Sequence, residues 1–159
     1  MFKMSKKVEY ALISLLYMAE RKEGELTTAR ELSENFNIPQ EIGGKVLQSL
    51  TRNGFISSVQ GVKGGYQLAM DAAKINVTDV IAAVDGPLQV VGCAVEADKC
   101  NCEQLSYCNI RSPMEIIQLK LIEFFNTISI KDLQKNTIPS AFFHGNIEQR
   151  SYPVKFSDQ

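Results

Sequence analysis

Residues 28–70, TARELSENFNIPQEIGGKVLQSLTRNGFISSVQGVKGGYQLAM, decide the fold. Thr28-Ala29-Arg30-Glu31 has the form of a capping box: the threonine oxygen accepts from the amides of the first turn while Glu31 reaches back. A helix therefore begins there, and it should end near Phe36. Asn37-Ile38-Pro39 makes a short connection, with Pro39 suited to the first turn of a new helix, where a missing N–H costs nothing. That helix is expected to reach about Asn53, with Ile42, Val46, Leu47 and Leu50 as its buried face and Gly54 as the left-handed residue that stops it. Beyond Gly54 the period falls to two. Residues 55–59 and 66–70 read as short strands, and Gly61-Val62-Lys63-Gly64-Gly65 can turn a hairpin because its glycines tolerate positive φ.

Two short helices in a helix-turn-helix followed by a hairpin form the winged-helix arrangement, so the expected fold class is mostly α with a small β wing. Ahead of it, from Ser5 to about Arg21, Val8, Ala11, Leu12, Leu15, Leu16 and Ala19 recur at spacings of three and four and predict a first helix. Behind it, Thr78 is expected to cap a short helix that Asp85-Gly86-Pro87 terminates. Ser112-Pro113-Met114-Glu115 reads as a second capping box, opening a long helix to about Asn126. Its apolar residues are too many for one face: Met114, Ile117, Leu121 and Phe124 form a seam, and Ile116, Leu119, Ile122 and Phe125 cover much of the rest. Such a helix needs two apolar partners. Its own domain and a twin subunit would supply them, which makes it a dimerisation helix; the other reading is a helix wholly buried within one domain. The expected organisation is a winged domain over 1–87, a cysteine-rich loop over 88–111, a dimerisation helix region over 112–133 and a flexible, polar tail over 134–159. Phe142 and Phe143 are the tail's chief apolar mark, and the lone histidine, His144, reads as solvated.

Composition sets bounds. Of 159 residues, 45% are hydrophobic and 22% charged, which argues against disorder or a disulfide miniprotein. With 17 Lys and Arg against 18 Asp and Glu, no global basic field draws the chain onto nucleic acid or an anionic membrane, so any such binding must use local geometry. No apolar run approaches the roughly 18 residues of a membrane span. Lys3, Lys6 and Lys7 ahead of the apolar stretch 10–19 imitate a signal peptide, but Glu9 interrupts the junction and no small-residue cleavage site follows. The expectation is a cytoplasmic protein, in a compartment where clustered cysteines point to metal or redox chemistry.

The exposed face of the second helix of the pair is expected to be Gln40, Glu41, Gly44, Lys45, Gln48, Ser49 and Arg52. In a helix-turn-helix this face meets the major groove of double-stranded DNA. Gln48 suits adenine, Lys45 a guanine or a phosphate, and Glu41 a cytosine amino group or the positive end of the helix dipole. Gly43 and Gly44 each cost the helix about 1 kcal/mol against alanine, and either close approach to the duplex or a loosely wound first turn accounts for them. Residues 1–85 hold ten basic and ten acidic side chains, so the DNA-binding half is neutral overall, and a winged helix used for protein contact would look the same. The cations Lys3, Lys6, Lys7, Lys45, Arg52 and Lys63, however, come from the N-terminal arm, the recognition helix and the wing. They favour DNA, with an affinity that falls as salt rises.

Cys93, Cys100, Cys102 and Cys108 lie within sixteen residues, with gaps of six, one and five. Thiolates are soft ligands for zinc, copper(I) or iron–sulfur clusters. The paired knuckles of structural zinc are absent and one loop around one cluster fits better, with a zinc knot, inert thiols and disulfides as the other readings. The glycines form a wing rather than a phosphate loop, and no nucleophile, base and orienter can be assembled, so neither an enzyme nor a small-molecule substrate is expected.

Taken together, Ser5-Lys6-Lys7-Val8-Glu9-Tyr10-Ala11, the wing Gln60-Gly61-Val62-Lys63-Gly64-Gly65-Tyr66-Gln67-Leu68, the Asp85-Gly86-Pro87 stop and a cysteine loop before a long helix resemble the IscR, NsrR and RirA family over about residues 1–133. These are bacterial winged-helix regulators that bind DNA as homodimers, many through an iron–sulfur cluster. The resemblance implies a transcriptional repressor controlled by a [2Fe–2S] or [4Fe–4S] cluster that senses nitric oxide, redox state or iron supply. It implies Cys93, Cys102 and Cys108 as ligands, with Cys100 as an extra thiol that either replaces Cys102 or lies idle. The histidine that some members place three residues after the last cysteine is Arg111 here, and Glu9 offers a substitute. It precedes Tyr10, where nitric-oxide-sensing members carry an aspartate that ligates the partner's cluster; an exposed helix carboxylate is the plainer reading. Many members have arginine where this chain has Gln60, and a Glu-Gln pair where it has Gly44-Lys45, so the target sequence does not carry over. A zinc-stabilised or thiol-switched regulator, or a protein-interaction module, stands as the alternative.

Overall fold

Ser5 opens the first helix, α1 (Lys6–Glu20), by accepting from the Val8 amide, and Thr28 with Glu31 forms the expected capping box on α2 (Ala29–Phe36). The computed structural model describes residues 3–94 and 101–136, and Cys100, the two tail phenylalanines and His144 lie outside them. Asn37, left-handed at φ 52°, turns the chain from α2 into α3 (Gln40–Arg52), and Gly54 at φ 77° follows α3. Strands β1 (Ile56–Val59) and β2 (Gly65–Leu68) pair antiparallel, with Ile56 opposite Leu68 and Val59 opposite Gly65. Then come α4 (Val77–Asp85), α5 (Arg111–Asn126) and α6 (Ile130–Gln134). The described chain is thus mostly helical with a two-stranded wing.

The wing has an extra support. Thr27 and Tyr66 exchange two backbone hydrogen bonds of 2.8 Å, so Thr27, two residues ahead of α2, adds one isolated bridge to the free edge of β2. This explains Gly65, where a Cβ would lie 2.9 Å from the Thr27 carbonyl oxygen, and the hairpin itself explains Gly64, where one would lie 2.4 Å from the Val59 carbonyl oxygen. The expectation that the tip glycines serve through positive φ holds only at Gly61 (φ 131°); Gly64 and Gly65 are there for lack of bulk.

Leu15 of α1, Leu32 of α2, Leu47 and Leu50 of α3, Ile56 of β1, Ile75, Val80 of α4 and Ile130 of α6 are fully buried in one core with Ile38. Each such side chain contributes about 1.5–3 kcal/mol through burial. A smaller cluster, Val8, Val77, Ile81 and Ile128 with Leu88, Phe124 and Phe125, joins α4 to the end of α5. Helix α6 is too short, at five residues, to show a helical period in the sequence. Its cap is Ser129 with Asp132, and its start is stitched into the winged domain by Val77 N–H to the Ile128 carbonyl and Ile130 N–H to the Ile75 carbonyl, both 2.9 Å.

Three other expectations need correction. Asn76, not Thr78, caps α4 by accepting from Asp79 N–H; the Thr78 hydroxyl instead donates to the Ile122 carbonyl on α5. The Ser112 capping box does not form, because α5 begins at Arg111 behind Ile110, with no side-chain cap. Ile42 is 36% exposed rather than buried, since Ile38 and Val46 fill the core beneath α3. On α5 only Gln118 is buried, while Ile116 (60% exposed) and Leu119 (65%) face outward, so the winged domain covers one side of this helix alone.

Candidate nucleic-acid interface and cysteine loop

Capping at Ser5 fixes where α1 begins, and this puts Lys6 and Lys7 beside α3. Together with Ile42, Lys45, Val46, Ser49 and Val84 they line a cleft of about 490 Å3. Gln40, Gln48 and Arg52 are exposed along α3, Gly44 is half-exposed, and Lys63 is exposed on the wing tip. The structure therefore gathers Lys6, Lys7, Lys45 and Ser49, while Arg52 and Lys63 lie outside that cleft.

Most of the gathered charge is already matched. Lys45 Nζ lies 2.8 Å from Glu41 Oε1 one turn back, and the hydrogen bond and charge of Lys45 hold the Glu41 carboxyl below the usual carboxylate range. Lys6 lies 2.5 Å from Glu9, and its hydrogen bond to that carboxylate raises the lysine's pKa; Lys7 lies 3.7 Å from Asp85. Sequence reasoning missed this pairing, although the i,i+3 and i,i+4 spacings of Lys6–Glu9 and Glu41–Lys45 signal it.

A second polar cluster, also unforeseen, braces α1 on α2. The Tyr17 hydroxyl donates to Glu31 (2.7 Å) and accepts from Arg21 (2.9 Å) and Asn35 (3.1 Å), and the Arg21 guanidinium, ion-paired with Glu31, stacks 4.6 Å from the Tyr17 ring. The phenol thus fixes α2, the first helix of the helix-turn-helix pair, against α1.

Cys93 sits in a short 3-10 turn, Gly92–Ala94, and Cys108 closes another, Leu105–Tyr107. Cys102 donates weakly to Gln104 (3.5 Å). Cys93, Cys102 and Cys108 are all half-buried free thiols. Arg111, at the position of the family histidine, pairs with Glu115 (3.3 Å). Among the described residues, a buried polar side chain ties this loop to α5: the Val90 amide donates to Gln118 Oε1 (3.2 Å). In kind and number the thiols fit a soft-metal centre. Among the described residues, no three His, Cys, Asp or Glu side chains converge on one point, and Glu9 is engaged by Lys6 instead. Also among the described residues, no helix is long and apolar enough to cross a membrane.

A helix pair whose first member carries a capping box, a second helix edged by lysines and a glycine-tipped wing define a winged helix-turn-helix, and the family it matches makes it that of a DNA-binding transcriptional regulator rather than an enzyme. The sequence profile of the Rrf2 family, described as iron-dependent transcriptional regulators, matches residues 4–136, and the chain belongs to this family. It is 30% identical over 126 residues to an HTH-type transcriptional regulator of Aquifex aeolicus strain VF5, covering 79% of this chain and 87% of that protein. It is 25% identical to the HTH-type transcriptional regulator NsrR of Bacillus subtilis strain 168, covering 84% and 91%. In fold it is similar to CymR, the global cysteine regulator of B. subtilis (TM-score 0.66, 21% identity, 86% of this chain and 99% of that one). It is equally similar to IscR of T. potens (TM-score 0.66, 21% identity, 85% and 88%).

Proposed function

We propose that the protein is a homodimeric, cytoplasmic repressor whose hold on its operator depends on an iron–sulfur cluster bound by Cys93, Cys102 and Cys108. Glu9 of the opposite subunit serves as the fourth ligand, and Cys100 is the spare thiol. The observation that carries this reading is three thiols outside any disulfide on the one segment that joins the winged domain to α5. Such a cluster, when bound, supplies reactivity toward nitric oxide, oxygen and peroxide. The DNA contacts are assigned to Gln40, Gly44, Lys45, Gln48, Ser49 and Arg52 on α3, Lys63 on the wing, and Lys6 and Lys7 at the start of α1.

The chain's own residues supply the coupling. Val90 holds Gln118, Thr78 holds the Ile122 carbonyl, and α4 packs on α3, so a shift of the loop reaches the recognition helix through contacts already made. The exposed Ile116 and Leu119 of α5 would meet their counterparts in the twin. Two recognition helices then stand about one helical turn of DNA apart, a spacing the loop can set or spoil.

Purification without oxygen, followed by visible spectroscopy and assays for iron and acid-labile sulfide, tests the reading. Iron with sulfide is the expected result, and stoichiometric zinc or a colourless, metal-free protein with full operator affinity rejects it. Glu9→Ala should shorten the lifetime of the cluster chromophore; an unchanged lifetime removes Glu9 as a ligand.

A further inference from the structure

Six of the glycines from Gly24 to Gly86 have visible reasons to be glycine. Gly24, Gly54, Gly61 and Gly86 adopt left-handed φ, and Gly64 and Gly65 are crowded by backbone. Gly43 has a milder one: a Cβ there would lie 3.1 Å from Cγ2 of the buried Ile38. Gly44 has none. It lies inside α3 and a Cβ there would meet nothing within 4 Å; among the described glycines only Gly92, which lies outside any α-helix, likewise combines open space with the absence of a left-handed φ. Glycine inside a helix weakens it against alanine, so the fold loses by keeping Gly44 and gains nothing in packing.

The gain must come from outside the chain. Gln40 and Gln48 lie one turn before and after Gly44 on the same face, and Lys45 is its neighbour; all three are exposed. We propose that α3 seats its backbone directly against the major-groove edge of duplex DNA at Gly44, so that the missing side chain is itself part of the interface. The proposal rests on α3 being the recognition helix and adds how closely it docks. The duplex, not the protein, excludes a methyl group at this position.

The test sets stability against affinity. The probe is a duplex selected by the wild-type protein from a random-sequence pool, with binding read by fluorescence anisotropy and folding by thermal melting. Gly44→Ala should raise the melting temperature, because it removes a helix-weakening residue into open space, and should lower affinity for the selected duplex about tenfold or more. Gly43→Ala should gain less stability than Gly44→Ala, because its Cβ would press on the buried Ile38 and offset the helix gain. Wild-type affinity in Gly44→Ala, with affinity lost in Lys45→Ala or Gln48→Ala, overturns close docking while leaving α3 as the recognition helix. A fall in melting temperature on Gly44→Ala overturns it too, by revealing a role inside the protein. If none of the Gly44, Lys45 and Gln48 variants alters binding, α3 is not the recognition helix and both readings fail.

Discussion

Salt dependence of DNA binding offers the sharpest test of the charge arrangement. Six cations come from the arm, the recognition helix and the wing: Lys3, Lys6, Lys7, Lys45, Arg52 and Lys63. Three are matched by Glu9, Asp85 and Glu41, and a matched cation that meets a phosphate brings its carboxylate with it, so its net release of counterions is small. Among the described residues no carboxylate pairs with Lys3, Arg52 or Lys63. In a dimer whose Lys6 stays on Glu9, three effective cations per protomer give a slope of log affinity against log salt of about −5, whereas all six would give about −11. Over a fourfold rise in salt these correspond to losses of about 2 × 10³-fold and about 3 × 10⁶-fold. A cluster that takes Glu9 as ligand would free Lys6 and give a slope of about −7. Glu41→Gln releases Lys45 in each protomer and should steepen the slope by about 2. Titrations of a pool-selected duplex at several potassium chloride concentrations measure it. A wild-type slope near −11, or no change on Glu41→Gln, refutes the claim that pairing silences these lysines.

Gly65→Ala should cost about 1–3 kcal/mol in urea unfolding, because its Cβ would press on the Thr27 carbonyl and detach the wing from the strand-like residue before α2. Ile130→Ala, at a fully buried site that joins α6 to α1, should cost about 2–5 kcal/mol; a loss below about 1 kcal/mol would show that α6 does not dock. The Ser129 hydroxyl and amide hold the Asp132 carboxyl below its ordinary value, so its contribution is present above the unfolded carboxylate pKa and is lost as pH falls through the lower folded one. The protection of α6 amides, taken against the intrinsic exchange rate at each pH, should therefore fall in that acid window, and Asp132→Asn should flatten the dependence.

The elements legible in the sequence were those whose signals are local. Thr28-x-x-Glu31 and Gly54 marked α2 and the end of α3 because caps are written within a few residues. The failures came where tertiary contacts chose between local options. Asn76 and Thr78 can both cap a helix, and Ile128, hydrogen-bonded to Val77, helps to fix the earlier start. Ile42 fits the apolar stripe of α3, but the α2–α3 turn sends the buried Ile38 under that helix and leaves Ile42 at the cleft. Helix α6 carried its own signal, Ser129-x-x-Asp132, yet at five residues it has too little periodicity to stand out, and its burial depends on α1, more than a hundred residues away. The candidate site was legible as a set of residue types. Two of its pairings, Lys6–Glu9 and Glu41–Lys45, were written in the i,i+3 and i,i+4 spacings, whereas Lys7 meets Asp85 only after α1 and α4 have packed together.

Helix α5 shows how these pieces act as one. A helix so apolar needs only hydrophobic contact to dock, yet its one buried side chain is Gln118, a residue costly to bury without a partner. Its oxygen accepts from the Val90 amide, three residues before Cys93, and its exclusion from solvent makes that bond stronger than the same bond at the surface. Leucine at this position would pack as well and leave the Val90 amide without its acceptor. The buried amide thus exchanges a simpler helix for a fixed distance between the cysteine segment and α5. A few residues further along, the Ile122 carbonyl and Phe124 with Phe125 bind the same helix to α4, which packs on α3. The same helix is thus tied to the cysteine segment through Val90 at one point and, further along, to the α4 that packs on α3.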